Sequence, residues 1–319
     1  MKEANIPANS VATSSHALDR RVFFALAFTL VVWASAFSAI RLCLQSGAYS
    51  PGHLGLLRFL VASCTMLIYC AFFKVRLPEK RDIPTFILLG FLGVAVYHTA
   101  LNFGQVTVGA GAASFLISTA PVFTALLATF FLGERLRLWG WLGIGLSLTG
   151  IFIIAVGKTD HLEFDPNALL IVLSAFVASI HMIINKGVLK RYSALESTTY
   201  SILCGTVFLL IFSPGLWQAI QHAPTKVTLA AMYIGVFPAA LAYVSWAYTL
   251  SRLPASQTAS YLYVTPGLSI LIAWGWLGEK PTALTLLGGM LALLGVIVVN
   301  LLGKVRQAQP LPTTQENVA

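Results

Sequence analysis

Acidic side chains are scarce in this chain. Only 11 of its 319 residues are Asp or Glu, against 20 Lys and Arg. Charged residues together make up 10%, where a soluble domain carries about 25%. So little charge cannot cover one or two soluble domains, and hydrophobic residues reach 57%. The shortage excludes the ordinary soluble classes and points to a membrane protein. Cysteine is sparse as well. Cys43, Cys64, Cys70 and Cys204 all lie in apolar runs with no C-x-x-C spacing, so they read as small buried hydrophobes rather than a disulfide framework or metal site. No H-E-x-x-H, G-x-S-x-G or G-x-G-D pattern occurs, which argues against an intramembrane enzyme. The net charge of +9 does not read as nucleic-acid binding, because the cations sit in short gaps between apolar runs instead of on one polar face.

What is present is a series of apolar runs. A spanning helix needs roughly 20 apolar residues. That ruler gives ten segments, at about 22–44, 53–73, 84–104, 111–132, 138–157, 167–189, 196–214, 227–250, 255–277 and 282–303. "WASAF" in the first offers a small-x-small cleavage site, but the apolar run continues to Leu44, so the segment is expected to be retained. With the N-terminus placed in the cytoplasm, 15 cations fall inside or at the inner boundary. Only Lys158, Lys226 and Lys280 fall in outer loops. This positive-inside bias predicts both termini in the cytoplasm.

The chain also repeats itself. Shifted by 145 residues it aligns without a gap, with 12 identities in 50 over residues 106–155. Pro121 falls on Pro266, Gly133 on Gly278, Glu134 on Glu279, Gly143 on Gly288 and Gly150 on Gly295. Upstream, Gly90 meets Gly235 and Arg41 meets Lys186. Two halves of five segments follow: tail 1–21, first half 22–157, second half 167–303, tail 304–319. Five is odd, so the second half enters the membrane upside down. The expected fold is all-α and integral to the membrane, ten transmembrane helices as two inverted five-helix repeats, an architecture suited to alternating access. The glycine stripes of segments five and ten read as close packing. Pro121 and Pro266, mid-segment, should kink their helices. The two "Leu-Gly-Glu" endings lie on opposite membrane faces, where Glu134 and Glu279 would close helix ends or take part in gating.

These residues resemble a known family. "VVWASAF" in segment one, Arg58 in segment two and the twice-used Pro-x11-Gly-Glu-x8-Gly-x6-Gly are similar to the drug/metabolite transporter superfamily, bacterial EamA type, over about residues 22–303. The resemblance implies a central cavity lined by segments one, three, four, six, eight and nine, with five and ten peripheral. It also implies carriage of small metabolites, often amino acids or amphiphilic compounds, across a bacterial inner membrane. Trp33 faces the cavity under this resemblance.

Polar groups inside the segments need a reason, since they are costly in hydrocarbon. Arg41 and Lys186, in last turns, can snorkel to the interface. Arg58, about one turn inside segment two, could snorkel outward or hold an anionic group. His98, Asn102 and Gln105 share one face of segment three, and Ser174, His181 and Asn185 one face of segment six. Tyr243 occupies the position of His98 in the other half, followed by Trp246. Gln257 and Tyr261 lie at i, i+4 in segment nine. The candidate substrate-binding residues are thus Trp33, Tyr97, His98, Asn102 and Ser118 in the first half, and His181, Tyr243, Trp246, Gln257 and Tyr261 in the second. No carboxylate sits mid-segment, which leaves a facilitator, an exchanger or coupling through histidine. The expected function is a secondary transporter, in the export direction, of small organic metabolites. The alternatives are nucleotide-sugar or organophosphate exchange, or a channel-like or structural subunit. The expected partners are a small-molecule substrate and the lipid bilayer, without nucleic acid, metal or cofactor; oligomeric state stays open.

Overall fold

A computed structural model of the chain describes residues 19–73, 75–131, 136–156, 164–253, 258 and 261–302, with the side chains of 128 and 131 excepted. Glu134 and Gln257 lie outside these residues. The described chain is helical. In order the helices are α1 (Arg20–Gln45), α2 (Pro51–Phe72), α3 (Lys80–Gly104), α4 (Ala110–Ile117) and α5 (Ala120–Phe131). There follow α6 (Leu138–Val156), α7 (Asn167–Val188), α8 (Ala194–Phe212), the short α9 (Leu216–His222), α10 (Thr225–Arg252), α11 (Leu262–Leu277) and α12 (Ala283–Leu302). Nine stretches among the described residues are long and apolar enough to cross a membrane, α4 and α5 counting as one; α11 is a shorter apolar helix. The protein is a multi-pass integral membrane protein.

Local chemistry sets the ends. Ser50 accepts a hydrogen bond from the backbone N–H of His53, with Pro51 in the first turn where its missing N–H costs nothing. Ser193 and Glu196 form a reciprocal capping box at the start of α8. Gly278 ends α11 in the left-handed region (φ 67°) and returns its N–H to the Trp274 carbonyl, so the glycine of the second "Leu-Gly-Glu" is a helix stop.

The two prolines act differently: at Pro121 the helix is broken rather than bent, and at Pro266 the winding changes within α11. The chain leaves helical winding at Ser118–Thr119, and Pro121 sits in the first turn of the new helix α5. Pro266 follows a tighter turn at Leu262–Val264 and stands in the first turn of the α-helix Thr265–Leu277. A proline has no N–H to give to the preceding turn, so the change of winding falls just upstream of it and proline occupies the one place where it is tolerated.

The 145-residue register reappears in three dimensions. One turn of α3 (Phe91–Val96) and one of α10 (Phe237–Leu241) are π-wound, at matched positions. Matched helices also exchange partners: α3 packs on α8, and α10 packs on α2. The glycines that allow this are the matched pair. A Cβ on Gly90 would lie 2.5 Å from the backbone of Gly205 in α8, and one on Gly235 would lie 2.7 Å from the backbone of Arg58 in α2. α1 packs on α10 and α11, while α7 packs on α3, α4 and α5. α6 and α12 lie against each other through the predicted stripes, Gly143 against Gly295 and Gly150 against Gly288.

Candidate substrate site in a central cavity

Between the two halves lies a cavity of about 190 Å³. Trp33 of α1, Arg58 of α2, Tyr97 and His98 of α3, and Ser118 at the α4–α5 break line it from the first half. His181 of α7, with Tyr243 and Trp246 of α10, line it from the second. Seven of the predicted substrate-binding residues, together with Arg58 and Pro121, thus come together in one place.

The centre is a relay of side chains. The Arg58 guanidinium, 3% exposed, donates through Nη1 to His98 Nδ1 at 3.2 Å. A guanidinium only donates, so Nδ1 is the acceptor and the imidazole proton sits on Nε2. That Nε2 faces the Tyr243 hydroxyl at 3.1 Å and donates to it. The Tyr243 O–H is then free to donate elsewhere. His98 and Tyr243 are equivalent under the 145-residue register, so the relay joins the two halves at matched residues.

Aromatic faces surround this relay. Trp33 meets Tyr243 edge-on at 5.4 Å between centroids and Trp246 at 5.2 Å. Trp33 is held by its Nε1, which donates to the Pro238 carbonyl at 3.1 Å. Pro238 lies in the π-wound turn of α10, where winding is looser and carbonyls are available to side chains. The matched turn of α3 carries Gly93, over which the His181 ring lies so closely that a Cβ there would fall 2.3 Å from it. The π-wound turns therefore seat one wall residue from each half.

Some predicted residues are elsewhere. Asn102 does not line the cavity; it is fully buried and donates to the Pro51 carbonyl at 3.2 Å. Its neighbour Gln105 donates to the Phe37 carbonyl. The polar stripe of α3 thus divides, His98 to the cavity and Asn102 and Gln105 to interhelical bonds. Tyr261 and Pro266 also lie outside the lining. Sequence reasoning missed Ser179 and Thr198, which line the cavity. Ser179 donates to the carbonyl of Ala120, the first residue of α5, a partner that no spacing in α7 announces.

A charge cluster lies outside the cavity lining. Arg41 Nε lies 2.9 Å from Glu279 Oε1, and its Nη1 donates to the carbonyls of Gln105 and Val106. Gln45 donates to the same carboxylate, and so does the N–H of Ala110 at the start of α4. Arg41, expected to snorkel, is thus an ion-pair partner. Glu279 ties α1, α4 and the end of α11 together. Asp82, in the first turn of α3, accepts from Arg191 and Tyr192 and joins α3 to the α7–α8 connection. Lys186, matched to Arg41, is exposed.

Known proteins resemble this chain in sequence and in fold. The EamA-like transporter family matches residues 21–156 and again residues 166–301, the two halves of the repeat. The uncharacterized transporter YdfC of Bacillus subtilis (strain 168) is 42% identical over 83% of this chain and 86% of its own. A probable terminal-alkyne amino-acid exporter of Streptantibioticus cattleyicolor is 38% identical over 90% of this chain and 97% of its own. The inner membrane transporter YedA of Escherichia coli (strain K12) is 24% identical over 88% and 90%. One solved crystal structure shares the fold, with a TM-score of 0.59 at 18% identity over 90% of this chain and all of that one. Matched twice, in the register its own sequence repeats, the chain belongs to the EamA-like transporter family.

Proposed function

We propose that this transporter exports small organic metabolites, amino acids or amphiphilic compounds among them, by alternating access around the central cavity. The observation that carries the reading is the His98–Tyr243 contact: matched residues of the two halves meet at the cavity wall, as expected where two inverted repeats rock about a shared site. The cation asymmetry supports ten crossings in two inverted sets of five with both termini in the cytoplasm, and the Escherichia coli inner membrane relative supports a bacterial inner membrane. In that orientation the Arg41–Glu279 cluster is the outer closure. The relative named as an amino-acid exporter supports the substrate class and the direction. Phosphate-bearing substrates are disfavoured, because Arg58 is the single Lys or Arg among the described lining residues.

The test is efflux from proteoliposomes loaded with amino acids, amines and sugars. Trp246→Ala removes an aromatic wall without touching the Arg58–His98 bond, and it should slow efflux of the accepted solute at least severalfold while the protein stays folded. Efflux at the wild-type rate would remove the cavity from the transport path.

A further inference from the structure

We infer that the cavity selects solutes bearing a carboxylate, and that Arg58 binds that carboxylate. The inference rests on the reading of the cavity as the transport site. It starts from an imbalance. Arg58 is 3% exposed within an apolar helix bundle and lines the cavity. Arginine stays protonated, so its charge needs a partner. None of the described lining residues is an Asp or Glu. The contacts it does make are a neutral imidazole at 3.2 Å and the Phe59 ring, 5.4 Å from the guanidinium carbon. Both orient the group, and neither neutralises it.

The geometry of the remaining donors names the ligand. Nη1 is committed to His98. Nε is enclosed and has no hydrogen-bond partner. Among the described residues no hydrogen bond is made by Nη2 either. Nε and Nη2 form the side edge of the guanidinium, two parallel donors whose spacing fits the two oxygens of a carboxylate. A phosphate dianion would want a second cation. A solute with an ammonium and no carboxylate would add positive charge beside Arg58. The Tyr243 hydroxyl, pointed by His98, adds a donor, and the faces of Trp33 and Trp246 suit an aliphatic chain or a zwitterion's ammonium. The small volume, below that of drug-sized pockets, suits a solute of amino-acid dimensions.

A matched set of probes tests this on the whole protein in lipid nanodiscs: norleucine, hexanoate, norleucinamide and pentylamine. Norleucine and hexanoate should bind at least about tenfold more tightly than the amide and the amine, the range expected for hydrogen bonds to a charged group. Arg58→Gln should abolish that preference, and Arg58→Lys should keep part of it. The wild-type series needs no variant, so misfolding of Arg58→Gln leaves the test intact. Equal binding of norleucine and norleucinamide overturns the inference, as does binding by none of the four. Efflux separates the two readings. If all four cross equally fast, the carboxylate site falls and transport stands. If the acids bind with the stated preference but none crosses, transport falls and the site stands.

Discussion

Gly150→Ala adds one methyl group at the tightest approach between α6 and α12. That Cβ would sit 2.4 Å from the backbone N of Ala292 and 2.5 Å from the carbonyl O of Gly288. Ordinary contact starts at 3.4 Å, so the two helices must part by about 1 Å, the difference between 3.4 and 2.4 Å. Neither atom can swing aside, because both belong to helical backbone. A gap of that size forfeits about a quarter to a half of each dispersion contact along the seam. Overpacking of this kind costs about 1–3 kcal/mol, and the helix preference of Ala over Gly returns about 0.5–1 kcal/mol. A net loss of about 1–2 kcal/mol is expected. Gly145→Ala, on the same helix, has nothing within 4 Å of its Cβ and gains the helix preference alone. Thermal unfolding of both variants in detergent micelles, followed by loss of the monodisperse peak, should rank Gly150→Ala below wild type and Gly145→Ala at or above it. Gly295→Ala, which meets Gly143 and Ser147 at 2.5 Å from the opposite helix, should match Gly150→Ala. If Gly150→Ala and Gly145→Ala melt together, the seam is not close-packed and the argument from it collapses.

Two further outcomes are expected. Glu279→Gln removes the charge that holds Arg41, Gln45 and Ala110, so the closure should open about tenfold more often, a coupling of the size of one charged hydrogen bond. A cysteine at Ser114, in a protein with its native cysteines replaced, should then react correspondingly faster with an impermeant maleimide added from that side; an unchanged rate would dissociate Glu279 from gating. Gly93→Ala pushes against a ring tip and not backbone, so it should leave the fold stable, displace His181 into the cavity and slow efflux. Combining it with His181→Ala should recover much of the loss, and failure to recover would place the fault in α3 itself.

Much of the helical plan was legible because apolar run length and the bilayer are matched quantities. The bounds of α1, α2, α6, α7 and α12 fall within about two residues of the segments read from sequence. The equivalence of His98 and Tyr243 was legible because the two halves repeat in one register, but that the two side chains meet was visible only in the structure. What sequence could not show is how a polar group discharges its hydrogen bonds. Asn102 shares a helix face with His98, yet its amide reaches a backbone carbonyl of α2, and no periodicity separates those two fates. Arg41 sits in a last turn where snorkelling is cheap, but a carboxylate 238 residues away satisfies it instead. The prolines show the same limit. Each marks a change of winding, but the residue alone does not say which: at Pro121 helical winding stops at Ser118–Thr119, and at Pro266 it passes from a tighter turn into the α-helix.

The exchange of partners between halves has a consequence for biogenesis. The bond from Trp33 to Pro238 spans 205 residues, that from Thr29 to Ala242 spans 213, and the Arg41–Glu279 pair spans 238. The groove that Gly90 opens on α3 is filled by α8, and the face of α2 around Arg58 is covered by α10. During synthesis, then, the helices of the first half reach the bilayer before the surfaces they bind exist, and His98 waits for the ribosome to complete Tyr243. Insertion and folding are separate events for this chain, with the contacts that join its two halves deferred until translation is nearly over. The interval between them is when the polar groups of the first half face lipid or one another, and when the unfinished protein is most exposed to quality control.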